Sequence, residues 1–219
     1  MTGRKMKQKI LELLRADDFE KSLGTICQFP PRQAVNPLFS FFHHAGLVKW
    51  RAVTTMGAVV SDLAASDMES ARVIMRRLMW TLNDESGGIG WGSTEAMGEI
   101  MARNEKLAKE YHQILISYIR EDGNFLEHEL LQRGVLWGLG RLAWVRPELV
   151  GDAAIFLLPY MESGDATLRG LAAWTARAIG DDATASRLRE LANDTGTTEI
   201  FIDGQLLTRT VGQLAKETG

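Results

Sequence analysis

The sequence predicts an all-α protein that is built from two-helix repeats and ends in a small β-hairpin. Helix start and stop signals recur at short intervals, and apolar residues follow the spacing of helices that are buried on one face. A gapless internal repeat returns about every 40 residues, which is the length of a two-helix unit. Strand-type alternation is absent before residue 199. These observations together predict about ten helices with short connections.

Capping residues divide the chain into these helices. In a capping box, a small polar residue and a glutamate three positions later satisfy two backbone donors that the first turn leaves unpaired. The pairs with this spacing are Asp17 with Glu20, Ser66 with Glu69, and Asn124 with Glu127. Asn36-Pro37 and Arg146-Pro147 place proline where a first helical turn tolerates it. Gly180 before Asp181 ends one helix and begins the next.

Four segments align without gaps and define the internal repeat. They are Trp50–Gly57, Trp91–Gly98, Arg133–Gly140 and Arg169–Ala176. Their final residues are 41, 42 and 36 positions apart, and an apolar-periodic helix precedes each segment. This period matches the HEAT and armadillo class of two-helix repeats. Glycine inside a helix costs about 1 kcal/mol relative to alanine, so we expect the closing glycines where first and second helices approach closely.

The fourth segment resembles a known repeat family. The matching residues are Asp165, Leu168-Arg169, Ala172-Ala173 and Ile179-Gly180. Their order is similar to the short HEAT-like repeats of phycobilisome lyases and of many bacterial scaffold proteins. The first three segments depart from it, and in two of them Gly92 or Gly134 stands where arginine is expected. The resemblance implies a right-handed α-α superhelix, a HEAT-like solenoid, and it implies little about function.

The predicted domain organisation follows from these repeats. We expect a HEAT-like helical domain over residues 1–195, with capping helices over 1–35 and repeats over about 36–190. Residues 196–219 are expected to form a β-hairpin and a short C-terminal helix that act as a cap. The hairpin prediction depends on Asp203-Gly204, because this pair suits the positive φ angles of a two-residue type I′ turn.

A groove on the second helices is the first candidate site. Helical spacing puts an apolar stripe on one side of these helices and small or charged residues on the other. In HEAT-like solenoids this other side is concave, so its residues would bind a partner: Arg51, Glu95, Glu99, Trp137, Arg141, Trp174 and Arg177. The two tryptophans would be flat apolar anchors. The alternative is that a neighbouring helix or the hairpin covers both.

A glycine-rich stretch between residues 83 and 92 is the second candidate site. Its candidate residues are Asn83, Asp84, Glu85, Gly87, Gly88, Gly90 and Trp91. Glycines ahead of a helix can form an anion-binding nest, but the stretch matches neither glycine-rich nucleotide motif. It is therefore either a functional loop or a tight turn that places Trp91 under the next repeat.

Charge, cysteine content and missing motifs limit the functional classes. The formal net charge is −3 and Cys27 is the single cysteine, which favours a cytoplasmic protein without a nucleic-acid partner. Since there is no long apolar run, no HExxH motif and no nucleophile elbow, we expect no membrane partner, no metal or other cofactor and no catalytic residue. Residues 1–66 hold nine Lys/Arg and five Asp/Glu, which makes this section either a solvated helix face or a docking surface for an acidic partner.

The expected function is binding or scaffolding of a protein or peptide partner through the concave groove, without catalysis. One alternative is a lyase-like enzyme or chaperone that holds a tetrapyrrole or similar chromophore between Trp91, Trp137 and Trp174. The other is a HEAT-like DNA glycosylase. That class needs a basic concave face, and Glu95 and Glu99 oppose it.

Overall fold

The computed structural model describes residues 3–83 and 89–216, and it confirms a helical chain with a C-terminal β-hairpin. The chain divides into two compact units, an N-terminal unit of Met1–Asn104 and a C-terminal unit of Glu105–Gly219. The division falls between the second and third repeat segments. Among the helices described, none combines the length and apolar character that crossing a bilayer requires.

Six helices form the described part of the N-terminal unit. They are α1 (Gly3–Arg15), α2 (Phe19–Cys27), α3 (Pro31–Phe39), α4 (Leu47–Ser66), α5 (Met68–Trp80) and α6 (Ser93–Arg103). The first helix is amphipathic and buries Met6, Ile10 and Leu14, which are four residues apart. The long helix α4 packs against α1, α2, α3, α5 and α6, so it is the centre of this unit.

The capping residues of α2 and α5 each lie one position beyond the predicted ones. The side chain of Asp18 accepts a hydrogen bond from the backbone N–H of Lys21 at 3.0 Å. Likewise, Asp67 accepts from the backbone N–H of Ser70 at 3.0 Å. In both places two good capping residues stand side by side, and intrinsic preference does not separate them. In both places the sequence predicts the helix correctly but puts its capping residue one position too early.

The other predicted helix starts had mixed outcomes. Asn124 is not a cap, because its amide donates to Ser117 Oγ at 3.0 Å and α8 begins later, capped by the Nδ1 atom of His128. Pro37 lies inside α3, which begins at Pro31 instead. Pro147 does begin a helix, although a short 3₁₀ one.

The described part of the C-terminal unit, up to residue 216, holds six further α-helices, two 3₁₀ helices and one hairpin. The elements are α7 (Glu105–Ser117), α8 (Glu129–Ala143), the 3₁₀ helices Pro147–Leu149 and Gly151–Ala153, α9 (Ala154–Met161), α10 (Ala166–Ile179), α11 (Asp182–Leu191), β1 (Thr197–Ile202), β2 (Gln205–Thr210) and α12 (Val211–Lys216). Gly180 ends α10 with a φ of 71°, and Asp181 caps α11, as predicted.

The hairpin has the predicted two-residue turn. Strands β1 and β2 pair antiparallel, with Ile202 opposite Gln205. The turn residues Asp203 and Gly204 have φ angles of 49° and 77°. Two positive φ angles define the type I′ turn, whose twist matches that of the flanking strands. Because this signal is local, the sequence alone was enough to predict it.

Small residues on α4 and α8 allow a close helix contact in each unit. In the N-terminal unit, a Cβ atom on Gly57 would overlap Glu99 Cγ and lie 3.2 Å from Arg103 Cδ, both on α6. In the C-terminal unit, a Cβ atom on Gly140 would overlap the indole of Trp174 and lie 2.7 Å from Thr175 Oγ1, both on α10. These glycines therefore lie where two successive second helices come into close contact. This corrects the expectation that they lie between a first and a second helix.

The helices that meet at these glycines run in the same direction. Lys49 pairs with Glu95 near the starts of α4 and α6, and Ser61 Oγ donates to the Arg103 carbonyl near their ends. In the C-terminal unit, Arg133 pairs with Asp165 at 3.0 Å, and Thr175 Oγ1 donates to the Leu136 carbonyl at 2.9 Å. The two units thus repeat one packing arrangement of parallel second helices.

Candidate functional site

The tryptophans predicted as exposed groove anchors are buried in the C-terminal unit. Trp137 is 3% exposed and Trp174 is 5% exposed. The indole Nε1–H of Trp137 donates to the carbonyl oxygen of Phe201 on β1 at 2.9 Å. The anchor prediction was therefore wrong, and the alternative that a neighbouring helix or the hairpin covers these residues is correct, because the hairpin contacts Trp137 and α8 contacts Trp174. The physical reason is that Ile200 and Phe201 on β1 need an apolar surface to pack on.

The burial of these rings gives no support to a flat cofactor bound between them. The ring centroids of Trp137 and Trp174 are 6.5 Å apart in a stacked arrangement, and the tilted ring of Trp144 lies 6.3 Å from that of Trp174. Behind them, a Cβ atom on Gly170 would lie 3.0 Å from Thr198 Cγ2 and 3.1 Å from Leu214 Cδ1. The hairpin and α12 thus cover this face of α10, and no observation favours the chromophore alternative.

The acidic groove residues of the N-terminal unit are buried in ion pairs. Glu95 and Glu99 are each 3% exposed. Glu95 accepts from Lys49 Nζ at 2.6 Å, and Glu99 accepts from Arg103 Nε at 2.5 Å. A buried carboxylate is tolerated only when it is paired and hydrogen-bonded. The Glu95 pair therefore joins α4 to α6, and the Glu99 pair lies within α6 beside Gly57 of α4, so their assignment to an open groove was wrong.

The three arginines of the predicted groove belong to two units and differ in exposure. Arg51 Nη1 donates to the carbonyl oxygens of Leu14 and Ala16 at 2.9 and 2.8 Å, so it closes the C-terminal end of α1. Arg141 on α8 is half-buried, whereas Arg177 on α10 is exposed.

Part of the glycine-rich stretch lies outside the described residues. These residues include Asp84, Glu85, Gly87 and Gly88, so the loop prediction is open at those positions. At the described end, Gly90 and Gly92 both have φ angles of 70°. A Cβ atom would lie 2.6 Å from Leu82 Cδ2 at Gly90 and 2.7 Å from Phe42 Cβ at Gly92. At these two positions the glycines serve a tight turn before α6, with Trp91 half-buried between them.

Cys27 lies in a polar environment in the N-terminal unit. Burial raises the pKa of its thiol, and the nearby Asp62 carboxylate, which shares a hydrogen bond with it, raises this pKa further. The fraction of thiolate at neutral pH is therefore below that of an ordinary cysteine. Since the thiolate is the nucleophilic form, this environment gives no support to a reactive Cys27.

The C-terminal unit contains a cleft that the sequence analysis did not identify. This C-terminal cleft has a volume of about 580 Å³, which is within the range of ligand pockets. Its apolar lining comes from the end of α7 onward and from α9 and α10: Ile119, Phe125, Ile155, Phe156, Pro159 and Leu168. Ile155 is 60% exposed. The cleft therefore presents an apolar wall to solvent without any part of the chain covering it in the described structure.

One buried polar atom in the wall of the C-terminal cleft has no partner. The hydroxyl of Tyr160 is buried and makes no hydrogen bond within the described residues. Burial, followed by the charge of Glu121, raises the pKa of Tyr160 to about 12. Tyr160 is therefore a neutral hydrogen-bond donor at physiological pH. An unsatisfied buried hydroxyl costs about 1–3 kcal/mol.

The rim of the C-terminal cleft is acidic. Asp122 is held by Arg120 at 2.8 Å, and this hydrogen-bonded pairing lowers the pKa of Asp122. Glu121 is exposed and forms no ion pair among the described residues. The whole C-terminal unit holds twelve Lys/Arg and seventeen Asp/Glu, a net charge of −5. The cleft therefore favours a ligand that combines an apolar group with a positive charge.

A sequence signal for this cleft exists in α9. The helix has the sequence AIFLLPYM, which is apolar on every side. An eight-residue helix that is apolar all round must be fully buried or must expose part of its apolar surface. In the structure it exposes Ile155 and leaves Phe156 half-buried, with the guanidinium of Arg120 stacked 5.0 Å from the Phe156 ring.

Comparisons with known proteins give a distant relative and no family. No family model matches the chain. The chain is 26% identical over 177 residues to an uncharacterized protein of Archaeoglobus fulgidus, an alignment that covers 79% of this chain and 88% of that protein. The similarity extends over most of both chains. It brings no function with it, because the relative is itself uncharacterized.

Proposed function

We propose that this chain is a helical-repeat binding protein, without catalytic activity, that holds a segment of a protein partner in the C-terminal cleft. The observation that carries the proposal is the exposed apolar wall formed by Ile155 and Phe156 beside the unpartnered Tyr160 hydroxyl. Soluble chains rarely leave such concave apolar surface open unless something binds there. A cytoplasmic location belongs to the same proposal.

The repeated helix packing supports a HEAT-like architecture. Gly57 packs against α6 in one unit and Gly140 packs against α10 in the other. Each of these glycines is the last residue of an aligned repeat segment. In both units the two helices are parallel second helices, which is the arrangement that stacked two-helix repeats require. We propose the right-handed superhelix on this basis. Proteins of this architecture commonly present extended binding surfaces.

The lining of the C-terminal cleft defines the chemistry of the partner. Its apolar wall suits one or two aliphatic or aromatic side chains. Tyr160 suits a carbonyl oxygen, and Glu121 on the rim suits a lysine or arginine of the same segment. The predicted partner is therefore a peptide segment in which a large apolar residue stands beside a basic one.

Selection from a displayed library of random peptides of about twelve residues tests this proposal. We expect enriched peptides to share a large apolar residue next to Lys or Arg, and Ile155→Asp to weaken their binding at least about tenfold, which is about 1.4 kcal/mol. Val73→Asp is the matched control, because Val73 is another exposed β-branched residue on a helix. Binding in titration calorimetry should be unchanged by that control.

Two outcomes would contradict the binding proposal. One is a selection that enriches no peptide over an unrelated protein used as the target. The other is a set of enriched peptides that bind the Ile155→Asp and Val73→Asp variants equally well. Tyr160→Phe separates the two parts of the cleft, since it removes the hydroxyl and keeps the ring. It should weaken binding only of peptides that place a carbonyl there, by about 1 kcal/mol.

A further inference from the structure

The N-terminal unit has a second cleft of opposite character. This basic cleft, of about 460 Å³, lies between α1 and α3 and is lined in part by Met6, Lys7, Arg32, Asn36, Pro37 and Ser40. Met6 and Pro37 are buried and form an apolar floor. Lys7 and Arg32 are exposed and stand on different helices at its edges. The cleft thus combines an apolar floor with two cationic groups on its rim.

Three polar side chains of the basic cleft have hydrogen-bond donors that they do not use within the described residues. Neither Lys7 nor Arg32 forms an ion pair among the described residues, although Lys7 Nζ lies 5.6 Å from the centroid of the Phe41 ring. The side-chain oxygen of Asn36 accepts from Arg77 Nη1 at 2.5 Å. This bond orients the Asn36 amide and leaves its two N–H groups to donate elsewhere. Lys7, Arg32 and Asn36 therefore each bring hydrogen-bond donors to the lining of the same cleft.

Basic residues dominate the sequence of α1, one of the two helices that form the basic cleft. The pKa of His44 is lowered first by burial and then by His43, Arg15 and Lys7. On the side of α3, Arg32 adds to the hydrogen bonds from Ser70 that lower the pKa of Asp67, so one carboxylate lies within reach of that cation. Along α1, Arg4, Lys5, Lys7 and Lys9 precede the first acidic residue, Glu12.

We propose that the basic cleft is a second, independent binding site that takes an acidic segment of a protein partner. Lys7, Arg32 and the Asn36 amide hold its carboxylates, and an apolar side chain of the segment rests on Met6 and Pro37. A peptide segment fits better than a single small anion, because the cations are on separate helices and the floor is apolar. With an acidic cleft in the other unit, the chain carries two sites that select partners of opposite charge.

Fluorescence anisotropy with a labelled acidic peptide of about ten residues, alternating Glu and Leu, tests the assignment. The variants Lys7→Gln/Arg32→Gln and Arg4→Gln/Lys5→Gln each remove two positive charges, and Lys7, Arg4 and Lys5 share α1. We expect the first pair to weaken binding about tenfold and to reduce its salt dependence, whereas the second pair changes it less than about threefold. Arg32→Gln alone repeats the test if the first pair is less stable.

Three results would overturn this assignment. The first is that the wild-type chain does not bind the acidic peptide. The second is that both double variants lose the same affinity, which would mean attraction by bulk charge alone. The third is complete displacement of the peptide by inorganic phosphate, but not by chloride at equal ionic strength, which would mean a small-anion site. None of these results bears on the C-terminal cleft, which uses other residues and other peptides.

Discussion

Replacing Gly140 by alanine is expected to destabilise the C-terminal unit by about 2–3 kcal/mol. The added methyl group would overlap the Trp174 ring and come within 2.7 Å of Thr175 Oγ1. The ring has little room to move, because it is buried, stacks with Trp137 and contacts Trp144. The helical preference of alanine over glycine recovers only about 1 kcal/mol. Unfolding in urea, followed by circular dichroism, measures the change.

Gly164→Ala is the control in the same unit. A Cβ atom at Gly164 would have no neighbour within 4 Å, so this change should alter the free energy of unfolding by less than about 0.5 kcal/mol. Equal stability of the Gly140 and Gly164 variants would show that α8 and α10 do not approach as described. The direct contact between second helices would then be wrong.

Truncating Trp137 to alanine is expected to cost about 3–5 kcal/mol of stability. The side chain is 3% exposed, stacks on Trp174 and donates to the Phe201 carbonyl at 2.9 Å, so its loss leaves a cavity and an unpaired acceptor. Trp137→Phe keeps part of the ring and removes the donor, and it should cost less. Trp80, at 54% exposure, provides the control of the same residue type.

A loss of stability at Trp137 no larger than the loss at Trp80 would favour the groove hypothesis. If Trp137→Ala unfolds at the same urea concentration as Trp80→Ala, then Trp137 is not a core residue. The hairpin would then be a loosely held cover, and an open groove with Trp137 and Trp174 as anchors would again be a valid interpretation. Melting curves of both variants, each recorded against the wild type, distinguish the two cases.

Local signals in the sequence were sufficient for several elements of the fold, but not for the starts of α3 and α8. The turn at Asp203-Gly204 needs positive φ angles that this pair adopts easily, and the ends of α10 depend on Asp165 and Gly180. Where two capping residues are adjacent, as at Asp17 and Asp18, the sequence determines the helix and leaves its first residue ambiguous. These features depend on contacts between residues close in the chain.

The candidate site could not be predicted in the same way, because it depends on contacts between distant residues. Helical spacing placed Trp137 and Trp174 on one face correctly, but whether that face is open depends on β1, which begins at Thr197. Glu95 was expected in a groove, and its burial depends on Lys49, 46 residues earlier. The residues that line the C-terminal cleft follow no repeat pattern in the sequence, because they come from separate parts of the chain, as Ile119 and Ile155 do.

A titration followed by ¹H–¹⁵N NMR spectra tests the central claim, that partner segments bind the C-terminal cleft and not the face covered by the hairpin. The probe is the peptide most enriched by the library selection. We predict shifts of the backbone amides over residues 119–125 and 155–160, with the indole N–H of Trp137 unmoved and protected from exchange by its bond to Phe201. Shifts concentrated at the Trp137 and Trp174 indoles, with loss of protection in β1, would contradict the claim.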